Sequence, residues 1–259
     1  MSKKLTKYSF IYFSPHLDDA VLSCGGFLKK NHKKKQLIIN IFSGEYNGLT
    51  TWDLSSGIKS RQPIKIRKKE DKHALSLVKA KVIYLNFLDN LVFTDLKKST
   101  RPFLDLLKIK NQIYQIINKN KSTIEAIFFP LSVFHPDHVL VSKIGRTIKN
   151  RLKNQKIRVY FYDEFPHCIK NKSYQKKILK NYNPVYFEIN REIYTKIKMV
   201  ILYKSQLTPL LKIFYPKVKF KTNIEDTWKK ILLNYHKNIS FQSGNKNAKY
   251  CERFWILKQ

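Results

Sequence analysis

The chain has 259 residues, 43% of them hydrophobic, which is enough to bury the core of one large α/β domain. Its 51 Lys and Arg residues outnumber 18 Asp and Glu residues, so the formal net charge is +33. No stretch approaches the ~20 apolar residues of a membrane span. The three cysteines show no metal-like spacing and indicate a reducing compartment without a disulfide framework. We therefore expect the protein in the cytoplasm.

The positive charge has two interpretations. It could serve a polyanionic partner, such as nucleic acid, an anionic membrane face or a phosphorylated substrate. Coding DNA rich in A and T would also produce this charge. Such DNA favours codons for Lys, Asn, Ile, Tyr and Phe, and all five residue types are abundant here. The lysines are scattered along the chain, and Arg, which reads bases and grips phosphate better, is the minority cation. Nucleic acid is therefore not the expected partner.

Strand-like and helix-like segments alternate through the first half of the chain. Strands are predicted at residues 8–14, 36–42, 82–87, 124–129 and 157–162. Helices are predicted at residues 20–30, 64–78, 103–117 and 139–152. This alternation predicts an α/β class, namely a Rossmann-like three-layer fold with a mostly parallel sheet.

From about residue 170 the periodic pattern weakens. Helices are predicted at 196–211 and 227–234, and residues 253–257 form a strand or a docking tail. No Pro/Ser/Gly-rich linker interrupts the sequence, so we expect a single domain over residues 1–259. It would comprise a core of about 1–165 and a less regular C-terminal extension of about 166–259.

One imidazole and two adjacent carboxylates follow the first predicted strand: His16, Asp18 and Asp19. An α/β fold places its chemistry just past the carboxyl ends of its strands. The spacing allows His16 and Asp19 to meet at one point while Asp18 projects to the side. An Asp pair before a helix can also serve only as an N-cap with favourable helix-dipole charges.

A second cluster, His135-Pro-Asp137-His138, follows another apolar run. Either His135 or His138 could join His16 and Asp19 in a set of two histidines and one carboxylate. Such a set suits a catalytic zinc, which keeps its fourth position open for water and lowers the pKa of that water towards ~7. An adjacent carboxylate outside the ligand set can then take the proton.

These two motifs resemble those of the PIG-L/LmbE-like zinc-dependent deacetylases, which read Pro/Ala-His-Pro-Asp-Asp and His-x-Asp-His. Segment 15–19 reads Pro-His-Leu-Asp-Asp, so Leu17 replaces the usual Pro. Weaker similarities to the family lie at Arg67-x-x-Glu70 and in segments 88–90, 162–166 and 252–255. In segment 88–90, Asn90 stands where the family commonly has Gly. The resemblance therefore runs through nearly the whole chain.

The resemblance implies that His16, Asp19 and His138 bind zinc, or another divalent metal such as Fe²⁺. It also implies that Asp18 is the general base, which deprotonates the attacking water and then, as an acid, protonates the leaving amine. The expected reaction is removal of an acetyl group from an N-acetylated amino sugar or glycoconjugate by metal-activated water.

The resemblance further implies that His135 stabilises the oxyanion of the tetrahedral intermediate and that Asp137 orients an imidazole. Arg67 and Asp89 are implied to contact substrate hydroxyls. Among the other histidines, His167 could line the site, whereas His236 is expected in an exposed stretch rich in Lys and Asn.

Two alternatives remain open. The enzyme could hydrolyse another small N-acyl amide, such as a secondary metabolite or a thiol conjugate. The chain could instead bind polyanions and carry a vestigial metal site. The net charge also admits a phosphorylated or lipid-linked sugar as the substrate, and the oligomeric state is open.

Overall fold

The computed structural model describes residues 7–132, 135–152, 155–170, 179–218 and 223–258. Within these residues one sheet contains seven strands. They are β1 (Phe10–Ser14), β2 (Gln36–Asn40), β3 (Lys81–Tyr84), β4 (Ala126–Pro130), β5 (Arg158–Tyr162), β6 (Tyr182–Glu188) and β7 (Cys251–Leu257). Their order across the sheet is β3-β2-β1-β4-β5-β7-β6.

Helices connect and cover these strands. They are α1 (Asp19–Lys30), α2 (Thr51–Ser55), α3 (Pro63–Ser76), α4 (Phe103–Asn120), α5 (Pro136–Arg151), α6 (Ile193–Ile201), α7 (Lys204–Phe214) and α8 (Ile224–Ser243). A short turn of π-helix spans Val92–Leu96, and a 3₁₀ turn spans His167–Ile169.

The first five strands are parallel, and β7 runs antiparallel to both β5 and β6. Strands β1, β2 and β4 are buried along their whole length, as expected of central parallel strands that are covered on both faces. The direction of strand order reverses between β1 and β4. That reversal is the switch point beside which open α/β sheets bind their ligands, at the carboxyl ends of the strands.

The core lies in two layers on opposite faces of the sheet. Phe10 and Tyr12 of β1 pack in one layer, with residues of α1 and α6–α8. Ile11 and Phe13 point to the other face and pack with residues of α4 and α5. The alternation along β1 therefore builds the three-layer arrangement, and the predicted α/β class with a mostly parallel sheet is confirmed.

The C-terminal extension supplies elements that the weak periodic pattern does not predict. Strand β6 forms one edge of the sheet and contains Pro184, a residue tolerated in edge strands because it donates no hydrogen bond. The helix predicted at 196–211 is two helices, α6 and α7. Strands β6 and β7 extend the same sheet, as a single domain over residues 1–259 would require.

The expected exposure of His236 is wrong. The residue lies on α8, which packs against β7, and it is only 1% exposed. Its Nδ1 lies 2.8 Å from the carbonyl oxygen of Cys251. Burial lowers the pKa of His236, so the ring is a neutral part of the core. The Lys and Asn neighbours that suggested exposure occupy other faces of the same helix.

Candidate metal centre

The two His/Asp motifs meet at the switch point between β1 and β4. His16 and Asp18 lie in the turn after β1, and Asp19 begins α1. Asp137 and His138 lie in the first turn of α5, which follows β4. Because β1 and β4 are parallel neighbours, their carboxyl ends bring together residues more than 100 positions apart.

Three donor atoms converge at this point. The Nδ1 atom of His16 lies 3.3 Å from Oδ2 of Asp19 and 3.0 Å from Nε2 of His138. The same Asp19 oxygen lies 3.3 Å from Nε2 of His138. A tetrahedral zinc with ligand bonds of ~2.0–2.1 Å holds its donor atoms about 3.3 Å apart. The three residues therefore fit a divalent metal ion.

In both His16 and His138, the ring nitrogen that is not one of the three donor atoms lies close to a carboxylate. Nδ1 of His138 lies 2.8 Å from Oε1 of Glu164. Nε2 of His16 lies 3.2 Å from Oδ2 of Asp137 and 3.3 Å from Oδ2 of Asp89. Such carboxylates fix the tautomer of a metal-binding histidine and keep its other nitrogen free for the metal.

The local field favours a positive charge between these residues. Burial lowers the pKa of His16, but the carboxylates of Asp89, Asp137 and Asp19 outweigh it and the net direction is upward. The pKa of His138 is raised in the same way, because Asp19 and Glu164 outweigh burial. Burial raises the pKa of Asp19, but both imidazoles outweigh it and hold the net value below the usual range.

Asp18 occupies the N-cap position of α1 without a side-chain capping bond. It is 7% exposed and lines the pocket beside Asp19. Burial and the neighbouring Asp19 carboxylate raise the pKa of Asp18 to about 7. A purely capping role does not explain this carboxyl group, whose proton affinity suits acid/base chemistry near neutral pH.

His135 does cap a helix. It is the N-cap residue of α5, and its Nδ1 accepts the backbone N–H of Asp137 at 3.3 Å. Its ring centroid lies 5.0 Å from that of His16. Burial and the nearby imidazoles of His16 and His138 lower the pKa of His135 to about 2. The ring is therefore neutral and carries its proton on Nε2.

Asp137 is fully buried and connects the centre to the loop before α4. Its Oδ2 accepts the backbone N–H of Asn90 at 3.0 Å, and its Oδ1 pairs with Nη2 of Arg101 at 2.6 Å. Burial raises the pKa of Asp137, but His16 and Arg101 outweigh it and the result is about 2. Asp137 is therefore a permanent anion behind His16.

Both predicted substrate contacts line the pocket. Arg67 donates from Nη2 to Oδ1 of the buried Asp53 at 2.5 Å. The hydroxyl of Tyr46 donates to the other oxygen of Asp53 at 2.7 Å. The charge of Arg67 is thus matched by a buried carboxylate. Asp89 lies on the opposite side of His16 from Asp19.

The pocket beside the three donors has about 760 Å³ of free space, part of it open to solvent. Its walls combine polar groups near the donors with apolar and aromatic side chains. The latter are Leu17, Leu22, Phe42, Tyr46, Trp52, Ile64, Leu91, Tyr203 and Leu210. Trp52 is held by a bond from its Nε1 to Oε1 of Gln206 at 2.9 Å. Among the described lining residues Arg67 is the one Arg or Lys side chain.

Sequence reasoning assigned no role to Glu164 or Arg101. Glu164 is the second residue after β5, so the rule that drew attention to Asp18 and Asp19, acidic residues shortly after a strand, would have found it. Arg101 carries no comparable local signal. His167, which sequence reasoning left open, lines the pocket, and one of its ring nitrogens lies within 4.8 Å of donor atoms of Asp19 and His138.

Comparison with protein families places the chain in one of them. The profile of the PIG-L family, described as GlcNAc-PI de-N-acetylase, matches residues 11–149, more than half of the chain. The chain belongs to this family of metal-dependent deacetylases. No curated protein sequence matches the chain.

Several solved structures share the fold. The A40926 pseudoaglycone deacetylase is 19% identical with a TM-score of 0.71, and 97% of each chain is covered. The zinc-inhibited form of a teicoplanin deacetylase is 20% identical with a TM-score of 0.72, over 95% of this chain and 97% of that one. The N,N'-diacetylchitobiose deacetylase of Pyrococcus horikoshii is 18% identical with a TM-score of 0.61, over 96% of this chain and 84% of that one.

Proposed function

We propose that this protein is a zinc-dependent N-deacetylase that removes the acetyl group from an N-acetylated amino sugar or glycoconjugate. The observation that carries the proposal is the convergence of His16, Asp19 and His138 within 3.0–3.3 Å, with the carboxyl group of Asp18 beside them. A bound divalent metal would polarise the amide carbonyl and make water acidic enough to attack it at neutral pH.

The remaining chemistry belongs to side chains of the chain itself. Asp18, with a pKa of about 7, would accept the proton of the attacking water and return it to the amine nitrogen as the C–N bond breaks. The neutral His135 would donate its Nε2–H to the carbonyl oxygen as negative charge develops there. Asp137 would hold the His16 ring in place.

The pocket supports a sugar-sized substrate that is neutral near the reacting amide. Asp89 and the paired Arg67 offer hydrogen bonds to hydroxyl groups, and Trp52 offers an aromatic face. The net charge of +33 is not concentrated in the pocket, because carboxylates of Asp18, Asp19 and Asp89 line it and Arg67 is paired with Asp53. This favours a neutral amino sugar over one phosphorylated next to the acetamido group.

The named activities of similar structures support the substrate class. These structures are the A40926 pseudoaglycone deacetylase, a deacetylase of the teicoplanin biosynthesis pathway and the N,N'-diacetylchitobiose deacetylase. Buried thiols at Cys24 and Cys251 support a cytoplasmic location. Among the described residues, no helix has the length and apolar character needed to cross a membrane.

The test measures metal content and acetate release with free, nucleotide-linked and lipid-linked N-acetyl sugars. Asp18→Asn should retain the metal and lose about 10²–10⁴-fold in kcat. Asp226→Asn, at an exposed position of α8, is the matched control and should match the wild type. Absence of bound metal in protein purified without chelator, or undiminished acetate release by Asp18→Asn, would overturn the mechanism.

A second candidate is hydrolysis of a different N-acyl amide. The apolar walls formed by Leu17, Leu22 and Leu210 favour it, because they could hold an acyl chain longer than acetyl. Substrates that carry the same sugar with acetyl or longer acyl groups separate the two candidates by their kcat/KM values.

A further inference from the structure

The first two turns of α4 expose large apolar side chains to solvent. Phe103 is 72% exposed, Leu104 58% and Leu107 42%. The buried stripe of this helix is formed by residues such as Ile109 and Ile113. At 3.6 residues per turn, the three exposed side chains point about 120–160° away from Ile109. They form a second apolar face, which the sheet does not cover.

Cationic side chains border this face. Lys97 and Lys98 precede α4, Lys108 follows Leu107, and all three are exposed. The acidic residue of the preceding turn, Asp95, already accepts bonds from the backbone N–H and the hydroxyl of Thr51. Leu96 adds another exposed apolar side chain. We call this set, Leu96, Phe103, Leu104 and Leu107 with Lys97, Lys98 and Lys108, the α4 surface.

The α4 surface is continuous with the wall of the pocket. In the segment that precedes it, Asp89 and Leu91 line the pocket. Arg101, two residues before α4, pairs with Asp137 and donates to the carbonyl oxygen of Leu88 at 2.8 Å. A membrane or protein bound to the α4 surface would therefore lie beside the pocket.

We propose that the α4 surface docks on an anionic phospholipid bilayer. Protein interfaces are depleted of Lys, whereas interfacial helices combine aromatic and Leu side chains with Lys, the combination found here. Each Lys near an anionic surface adds attraction, and the net charge of +33 adds a longer-range contribution.

The test is flotation of the full-length protein with vesicles of phosphatidylcholine alone or with phosphatidylglycerol, at about 0.15 M salt. The wild type should bind only vesicles that contain phosphatidylglycerol. The triple variant Phe103→Ser, Leu104→Ser, Leu107→Ser should bind them at least about ten-fold more weakly. The matched control is Phe241→Ser, which removes a side chain that is 89% exposed on α8, and it should bind like the wild type.

A second variant tests how much the lysines of the α4 surface contribute to vesicle binding. Lys97→Glu with Lys98→Glu should weaken binding to the anionic vesicles and make the remaining binding less dependent on salt. Failure of the wild type to bind anionic vesicles, or equal binding by the triple variant, would overturn the proposal. A dimer of the wild type that dissociates in the triple variant would also overturn it, because the surface would then be covered by a second copy.

Acetate release from a soluble N-acetyl sugar separates this proposal from the proposed function. The triple variant should release acetate from such a substrate at the wild-type rate, since no residue of the α4 surface lines the pocket. Conversely, Asp18→Asn should bind vesicles like the wild type. Loss of vesicle binding with intact hydrolysis thus supports the docking surface, and loss of both properties in the triple variant would contradict it.

Discussion

At the scale of single residues, the candidate metal centre consists of three potential ligand side chains and of the carboxylates that contact their imidazoles. Glu164 illustrates this, because its Oε1 lies 2.8 Å from Nδ1 of His138 and both side chains are buried. An ionised carboxylate in this position keeps the proton on Nδ1 and leaves Nε2 for a metal. The affinity of the candidate centre for a metal would therefore depend on residues that do not touch the metal.

Glu164→Gln should lower the affinity for zinc about 10–100-fold, because an amide holds the imidazole proton less strongly than a carboxylate. Competition with a chelator measures this affinity. Glu188→Gln, at an exposed position of β6, is the control and should leave it unchanged. Equal affinities of Glu164→Gln and the wild type would mean that Glu164 does not support the ligand.

Asp71 is a buried carboxyl group outside the donor set. It accepts bonds from the Tyr203 hydroxyl at 2.7 Å and the Tyr84 hydroxyl at 2.9 Å. Burial outweighs these donors and raises the pKa of Asp71 to about 7, from 3.8 in an unfolded chain. The folded state therefore holds a proton that the unfolded state has lost between about pH 4 and pH 7.

Asp71 should accordingly make the free energy of unfolding fall as pH rises through this window, by at most about 1.4 kcal/mol per pH unit. The contribution should be level above pH ~7, where both states are ionised. Asp71→Asn should lack this slope in urea unfolding measured across the window, and the exposed Asp226→Asn should keep it. Parallel profiles for Asp71→Asn and the wild type would refute the assignment.

At the scale of secondary-structure elements, the C-terminal extension fixes the helix that carries Asp19. The Glu252 side chain of β7 accepts the backbone N–H groups of Gly26 and Phe27, in the interior of α1, at 2.8 and 2.7 Å. Lys196 of α6 donates to the same carboxylate at 2.7 Å. Gly26 also permits the close packing of Ile189 against α1, because a Cβ at this position would lie 2.8 Å from the Ile189 side chain.

Lys196→Met should lower the free energy of unfolding by about 3–5 kcal/mol, since it leaves the Glu252 carboxylate buried without its cation. Lys198→Met, on the exposed side of the same helix, should change it by less than about 0.5 kcal/mol. Urea denaturation of both variants measures the difference. A small effect at Lys196 would indicate that the two backbone donors suffice to stabilise the carboxylate.

At the scale of the whole molecule, the excess of positive charge lies outside the pocket. Lysines are spread over the surface, and a net charge of +33 on 259 residues implies self-repulsion in the folded state. The pocket itself is lined by carboxylates around the three donors. The net charge thus attracts anions over long range and lowers the stability of the folded state by repulsion, and it makes no contact with the reacting amide.

The midpoint of thermal unfolding should rise when NaCl is increased from about 10 mM to about 0.5 M, because salt screens the repulsion between lysines. Differential scanning fluorimetry of the metal-loaded protein measures it. A second chloride salt at equal ionic strength should give the same rise. A midpoint that falls with salt would show that attractive ion pairs outweigh repulsion.

The local sequence predicted the central strands of the sheet and the position of the candidate site. Continuous apolar runs such as 10–13 identified the buried strands, because central parallel strands are covered on both faces. The positions of the two His/Asp motifs after β1 and β4 predicted where a site would form. Edge strand β6 and the burial of His236 escaped prediction, since both depend on contacts between segments far apart in the chain.

The residue types of the centre, two imidazoles and adjacent carboxylates, were therefore fixed by sequence alone. Spacing in the sequence left His135 and His138 as alternatives beside His16 and Asp19, and the resemblance implied His138. Only the tertiary structure gives the distances between these side chains. His135 is engaged at Nδ1 as the cap of α5, whereas His138 extends its Nε2 to 3.3 Å from Asp19. The same holds for Glu164 and Arg101, because parallel strand pairing and loop closure, not spacing in sequence, set which side chains meet at the edge of a sheet.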